Sequence, residues 1–199
     1  MIATRDELVD DMIARWDAFV AYVDSLPDAT WISMIDAAGW TIKDHVSHVT
    51  QWDVAIIRLF TDGIPMQHSL GIPDCEWHID YGAINDRIRL RNLCDPVPRV
   101  NTERDAVWTD LHRFRKRIRN LCDPVPRVKT ERDAVWTDLL ATVRSLTDDQ
   151  LASKAVDQGI NVDADDDSSL LSVLVENQGG HYSAHLEYIR RIANPEGTQ

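Results

Sequence analysis

Apolar residues in this chain recur at the three- and four-residue spacing of helices, in blocks bounded by proline or glycine, and that periodicity sets the fold class. The first block is Leu8, Met12, Ile13, Trp16, Phe19, Val20 and Val23. It follows a capping pair at Thr4 and Glu7 and ends at Pro27, which predicts a helix over residues 5–26. A second helix begins at Gly39-Trp40-Thr41, with Thr41 as N-cap and Asp44 near the positive end of the dipole, and stops before Gly63-Ile64-Pro65. Its stripe is His45, His48 or Val49, Trp52, Ala55 or Ile56, and Leu59. The last helix covers about 169–193 on Leu171, Leu174, Gln178, His181, His185, Tyr188 or Ile189, and Ile192. The chain is predicted to be all-α.

Between these blocks lie three connections and a repeat. Residues 27–40 carry Trp31, Met34 and Ile35, an apolar cover for one end of a bundle. Residues 63–79 read as a long ordered loop and candidate lid, followed by a short helix over 80–92. Then RNLCDPVPRVNTERDAVWTDL (91–111) recurs as RNLCDPVPRVKTERDAVWTDL (119–139), differing only at Asn101 versus Lys129. Such near-identity in two copies has the form of a tandem duplication inside one domain, since solenoid repeats drift in sequence and come in threes or more. Each copy predicts a helix behind a Thr-x-x-Asp cap: 103–121 on Val107, Leu111, Phe114, Ile118 and Leu121, and 131–146 on Val135, Leu139, Val143 and Leu146. The basic stretch Arg113–Arg119 is an anion or partner site, or more simply a solvated helix face. The polar connection 147–169 includes Asp163 and Asp165-Asp166-Asp167, which lack the glycine and terminal glutamate of a calcium-binding EF-hand loop.

A chain of 199 residues makes one domain, or one with an insertion. Its net charge of −12 argues against nucleic acid, which needs a concentrated positive surface. No run reaches transmembrane length and no signal peptide opens the chain, so no membrane partner is expected. Three cysteines, two of them copies within the repeat, make no disulfide framework and suit a reducing cytoplasm.

The chemistry-bearing residues are histidines. In Gly179-Gly180-His181-Tyr182-Ser183-Ala184-His185, the two rings stand one helical turn apart on one face, the spacing that lets a pair grip one transition metal. The plainer reading is a pair of core histidines bonded to neighbouring side chains, and the pair alone leaves both open. The two glycines weaken a helix, and close packing beside the histidines gives a reason for them. His48 lies on or beside the inward face of the second helix. No nucleophile elbow, phosphate loop or pair of catalytic carboxylates is present.

GWTIKDHVSHVTQWD (39–53) resembles the second-helix motif of the DinB-like four-helix bundles, in which a Trp opens the helix and a His lies eight residues on, here Trp40 and His48. HYSAHLEYIRRI (181–192) resembles the final helix of that superfamily, with its H-x-x-x-H pair. DYGAINDRIRLRN (80–92) and the final helix are most similar to the DfsB/ClbS branch. The resemblance implies an up-down-down-up four-helix bundle with a mononuclear metal held by His48, His181 and His185. It further implies, as activities of relatives, transfer of a low-molecular-weight thiol or hydrolysis of a reactive cyclopropane.

Three imidazoles leave positions for water or substrate, and nickel, zinc and iron all accept such ligands. A metal-dependent transferase or hydrolase acting on a small electrophile is one expectation; a non-enzymatic small-molecule binder is the other. His45, Trp52, Tyr182 and Glu187 are candidates for the surrounding pocket. The single domain 1–199 carries a duplicated insertion at 91–118, a copy of 119–146. The second copy is expected in the bundle and the first as an extra helical arm, whose apolar stripe is buried in a homodimer.

Overall fold

Paired side-chain and backbone caps start the first two long helices of the computed structural model, which describes residues 2–72, 84–85, 88, 124–160 and 167–194. The Thr4 hydroxyl accepts the Glu7 amide and the Glu7 carboxylate accepts the Thr4 amide, both at 3.2 Å, and α1 runs Arg5–Ser25. Behind it, α2 (Asp28–Ser33) lays Trp31 over the end of the bundle, with the indole N–H donating to the Val23 carbonyl at 3.1 Å. This cover is narrower than expected, because Met34 is half-buried and Ile35 is exposed. Thr41 and Asp44 repeat the reciprocal cap, and α3 runs Ile42–Asp62. It ends at Gly63, whose φ of 65° is left-handed and suits a residue without Cβ.

The candidate lid begins with a short helix, α4 (Met66–Leu70). Of the predicted helix over 80–92, Ile84, Asn85 and Ile88 are described; they are helical, and both isoleucines are buried. The helix predicted over 103–121, its basic stretch, and the acidic residues Asp163, Asp165 and Asp166 lie outside the described residues.

The second copy of the repeat supplies α5, Val125–Ser145. It starts six residues before the predicted 131, because Pro126 falls in the first turn, where no intrahelical amide donor is needed. Thr130 is therefore no cap; its hydroxyl donates back to the Pro126 carbonyl at 3.0 Å. The inward line is Val128, Arg132, Trp136, Leu139 and Val143, with Val135 half-buried beside it. Trp136 stacks on Trp16 at 4.4 Å and 8°. Arg132 is buried and forms a two-pronged bond to Asp24, 3.0 Å on each arm. One repeat period upstream, Arg115 corresponds to Val143, which is fully buried here. The first copy would bring an unpaired charge into that groove, at a cost that favours the second.

A capped turn, α6 (Asp148–Ala152), leads towards the last helix. That helix comes in three parts: α7 (Leu170–Leu174), a π-helical turn Val175–Gly180, and α8 (His181–Ala193). Gly179 faces the Asp11 and Arg15 side chains of α1. A Cβ there would meet Asp11 Oδ2 at 2.7 Å and Arg15 Cδ at 2.9 Å. At Gly180 a Cβ would meet nothing nearer than 3.9 Å, so crowding explains only the first glycine.

Pairings along the long helices fix their directions. Arg15 bonds Ser183 and Asn194 bonds Tyr22, so α1 and α8 run parallel. Arg5 reaches the Leu146 carbonyl while Asp24 meets Arg132, so α5 is antiparallel to α1. His45 meets His185 while Asp53 meets Tyr182, so α3 opposes α8. The bundle is up-down-down-up, and α3 and α5 pack side by side in parallel. Among the described residues there are no strands, only the isolated bridges Ile35–Thr41 and Lys154–Ser169. None of their helices is long and apolar enough to cross a membrane.

Candidate metal centre

The cap at Thr41 sets the phase of α3, and with it the direction of His45 and His48 one turn apart. The π turn ends where α8 begins, so His181 is the first residue of α8 and His185 lies a turn further on. Single π turns inside α-helices are frequent at functional sites. Antiparallel packing then brings these four rings together.

His48 Nε2 lies 3.1 Å from His181 Nε2. The rings of His48, His181 and His185 stand 4.6–5.1 Å apart, centre to centre. One nitrogen from each falls within 4.8 Å of the other two. His48 and His185 are buried and His181 sits half-buried at the rim.

Burial dominates their electrostatics. It pushes His181 down to about 4. It holds His48 well below the ordinary histidine value, with the charges of His181 and His45 adding to the effect. His185 is lowered in the same way, by burial first and then by its three histidine neighbours. At neutral pH all three are neutral and offer lone pairs, the form a metal requires.

The donor set fits a divalent transition metal. Two nitrogens facing each other at 3.1 Å can share at most one proton, and ligands about 2.0–2.1 Å from one tetrahedral ion stand roughly 3.3 Å apart. Among the described residues, His48 Nδ1 is buried without a hydrogen-bond partner, so they leave one nitrogen of that ring unsatisfied.

The surrounding residues divide by position. His45, buried behind His185, places Nδ1 2.9 Å from His185 Nδ1 and Nε2 3.2 Å from Asp36 Oδ2. Trp52 stands edge-on to His48 and His181, 6.3 Å from each. Trp40, read from sequence as the residue that opens the helix, lies 5.2 Å from His48. Tyr182 is no wall of the site: it is fully buried among Trp16, Phe19 and Trp136, and donates to Asp53 Oδ2 at 2.6 Å. Glu187 is exposed and pairs with Arg191, away from the histidines.

Asp36 and Asp53 were not among the sequence candidates. A signal for Asp36 exists in Asp36-Ala37-Ala38-Gly39, since aspartate before glycine commonly folds a turn onto its own carboxylate. Asp53 has none, because one acid within a helix reads as solvent-facing. Burial raises its carboxyl to about 7, and the bond from Tyr182 only partly opposes this.

No curated protein matches the chain. Among solved structures, the crystal structure of an uncharacterised protein from Escherichia coli UTI89 aligns over 100% of this chain and 98% of its own. The TM-score is 0.55 at 14% identity, a likeness of fold. The sequence model of the DinB superfamily matches residues 12–189, nearly the whole bundle with all three facing histidines. The chain belongs to the DinB superfamily.

Proposed function

We propose that this protein binds one divalent transition metal through His48, His181 and His185, and that it is an enzyme detoxifying a small reactive electrophile by hydrolysis or by transfer of a low-molecular-weight thiol. The convergence of three neutral imidazoles from two facing helices, two of them buried and the third half-buried, carries this reading. Nickel, zinc and iron all suit that donor set. When bound, the metal supplies a Lewis acid that activates water or a thiol and polarises an electrophile. The chain contributes the rest. Burial keeps protons from competing for the ring nitrogens, and Trp40 and Trp52 give the site apolar edges that exclude water and suit a small organic substrate.

Within the superfamily, the resemblance of residues 80–92 and of the final helix supports the DfsB/ClbS branch. We further propose that the first repeat copy acts as an arm burying its apolar stripe in a homodimer. Deleting residues 91–118 should then give a monomer, and an unchanged dimer refutes the arm.

The main test is metal analysis of purified protein, followed by turnover of a reactive electrophile with and without added thiol. His48→Ala should lose metal and turnover together while keeping its helical content. Full metal occupancy in that variant refutes the ligand assignment. Metal binding without any turnover would instead support a non-enzymatic binder.

A further inference from the structure

We infer that Asp36 and His45 form a positioning relay that fixes His185 in the one neutral tautomer able to offer Nε2 to the metal. The inference rests on the reading of His185 as a ligand. It follows from counting donors and acceptors along a chain of contacts that begins in the α2–α3 loop.

Asp36 is held from several sides. Its Oδ1 accepts the amides of Ala38 and Trp40, each at 2.8 Å. Its own amide donates to the Trp40 carbonyl at 2.9 Å, and its carbonyl accepts from Gly39 at 3.0 Å. Gly39 has a φ of 80°, the left-handed turn that lets the loop close on the carboxylate. The second oxygen, Oδ2, is left facing His45 Nε2 at 3.2 Å.

A carboxylate only accepts, so His45 Nε2 must carry the hydrogen. In a neutral ring, Nδ1 of His45 then has the lone pair. It faces His185 Nδ1 at 2.9 Å, and one of these two nitrogens has to donate. His185 Nδ1 is therefore the donor, and His185 Nε2 is left with a lone pair. The reverse assignment would put a hydrogen on Nε2 and close His185 to a metal. His45 cannot easily turn away, because its ring lies between Trp40, 5.3 Å off, and Tyr188, 5.8 Å off at 23°. Carboxylates and carbonyls behind metal-binding histidines commonly serve this purpose. Here a second histidine carries the effect from a carboxylate that does not itself reach the ligand.

Two measurements test the relay. In metal-free protein at pH 7.5, long-range proton–nitrogen correlation spectra of the imidazoles should show His185 protonated at Nδ1 and His45 at Nε2. A hydrogen on Nε2 of His185 overturns the proposal whether or not metal binds. The second measurement is titration with cobalt(II). His45→Phe keeps a ring but removes both bonds, and should weaken cobalt affinity about 10–100-fold. His45→Gln, with an amide that can accept from His185 and donate to Asp36, should recover part of that loss. Wild-type affinity in His45→Phe overturns the relay. Failure of the wild-type protein itself to bind cobalt, zinc or nickel would overturn the metal centre, a result distinct from either.

Discussion

Asp53 offers a test of the buried electrostatics that is independent of any metal. Its side chain is buried, with one oxygen bonded to the Tyr182 hydroxyl at 2.6 Å and the other without a partner among the described residues. Burial raises its carboxyl from 3.8 to about 7. Between those values the folded state holds a proton that the unfolded chain has released, so stability falls as pH rises. At about 1.4 kcal/mol per pH unit, three units come to roughly 4 kcal/mol. Asp53→Asn removes the ionisation while keeping an acceptor for Tyr182. It also buries an amide without an acceptor, at a cost of about 1–3 kcal/mol. The variant should be the less stable protein near pH 4 and the more stable one at pH 8. Urea unfolding of metal-free protein at each pH gives the difference, and the contribution of the histidines cancels because both proteins carry them. A difference that stays constant from pH 4 to 8 would show that Asp53 ionises in the folded protein much as it does in the unfolded chain.

Three further outcomes are expected. His48, His181 and His185 are all lowered, so they contribute stability that is complete above the unfolded value of 6.5 and is lost as pH falls from there towards about 4 at His181; replacing His181 by Gln should flatten the acid limb of an unfolding profile, and an unchanged limb counts against buried neutral rings. Gly179→Ala should gain less stability than Gly180→Ala, because its Cβ must displace the Asp11 and Arg15 side chains, whereas Gly180→Ala should be neutral or gain up to about 1 kcal/mol; equal melting temperatures for the two variants would contradict the close approach of α1. Asp24→Ala should cost about 1–3 kcal/mol by taking the two-pronged partner from buried Arg132, with Asp133 still in contact; denaturant midpoints measure it, and no change would mean that Asp133 alone satisfies the guanidinium.

The features legible in the sequence are those set within a few residues. The caps at Thr4 and Thr41, the stop at Gly63 and the one-turn spacing of His181 and His185 depend on contacts no more than six positions away. They follow from composition and period alone. The choice of the second repeat copy for α5 was also legible, since Val143 occupies a groove position that Arg115 could not.

Long-range partners decided the rest. The periodicity turns His45 and His48 both inward, and the register of α3 against α8 makes His48 a neighbour of His181 and His45 the contact between His185 and Asp36. Tyr182 looked like a pocket residue beside His181, yet Trp16, Trp136 and Asp53 claim it for the core. The start of α5 is a local exception: Pro124 at the N-cap and Pro126 in the first turn, breakers in isolation, are both compatible with a helix start. Asp53 reads as a surface acid until Tyr182, 129 positions away, closes over it. Local rules state what a residue can do, but burial and hydrogen-bond partners come from chain segments more than a hundred residues apart, and only the packed bundle brings those together.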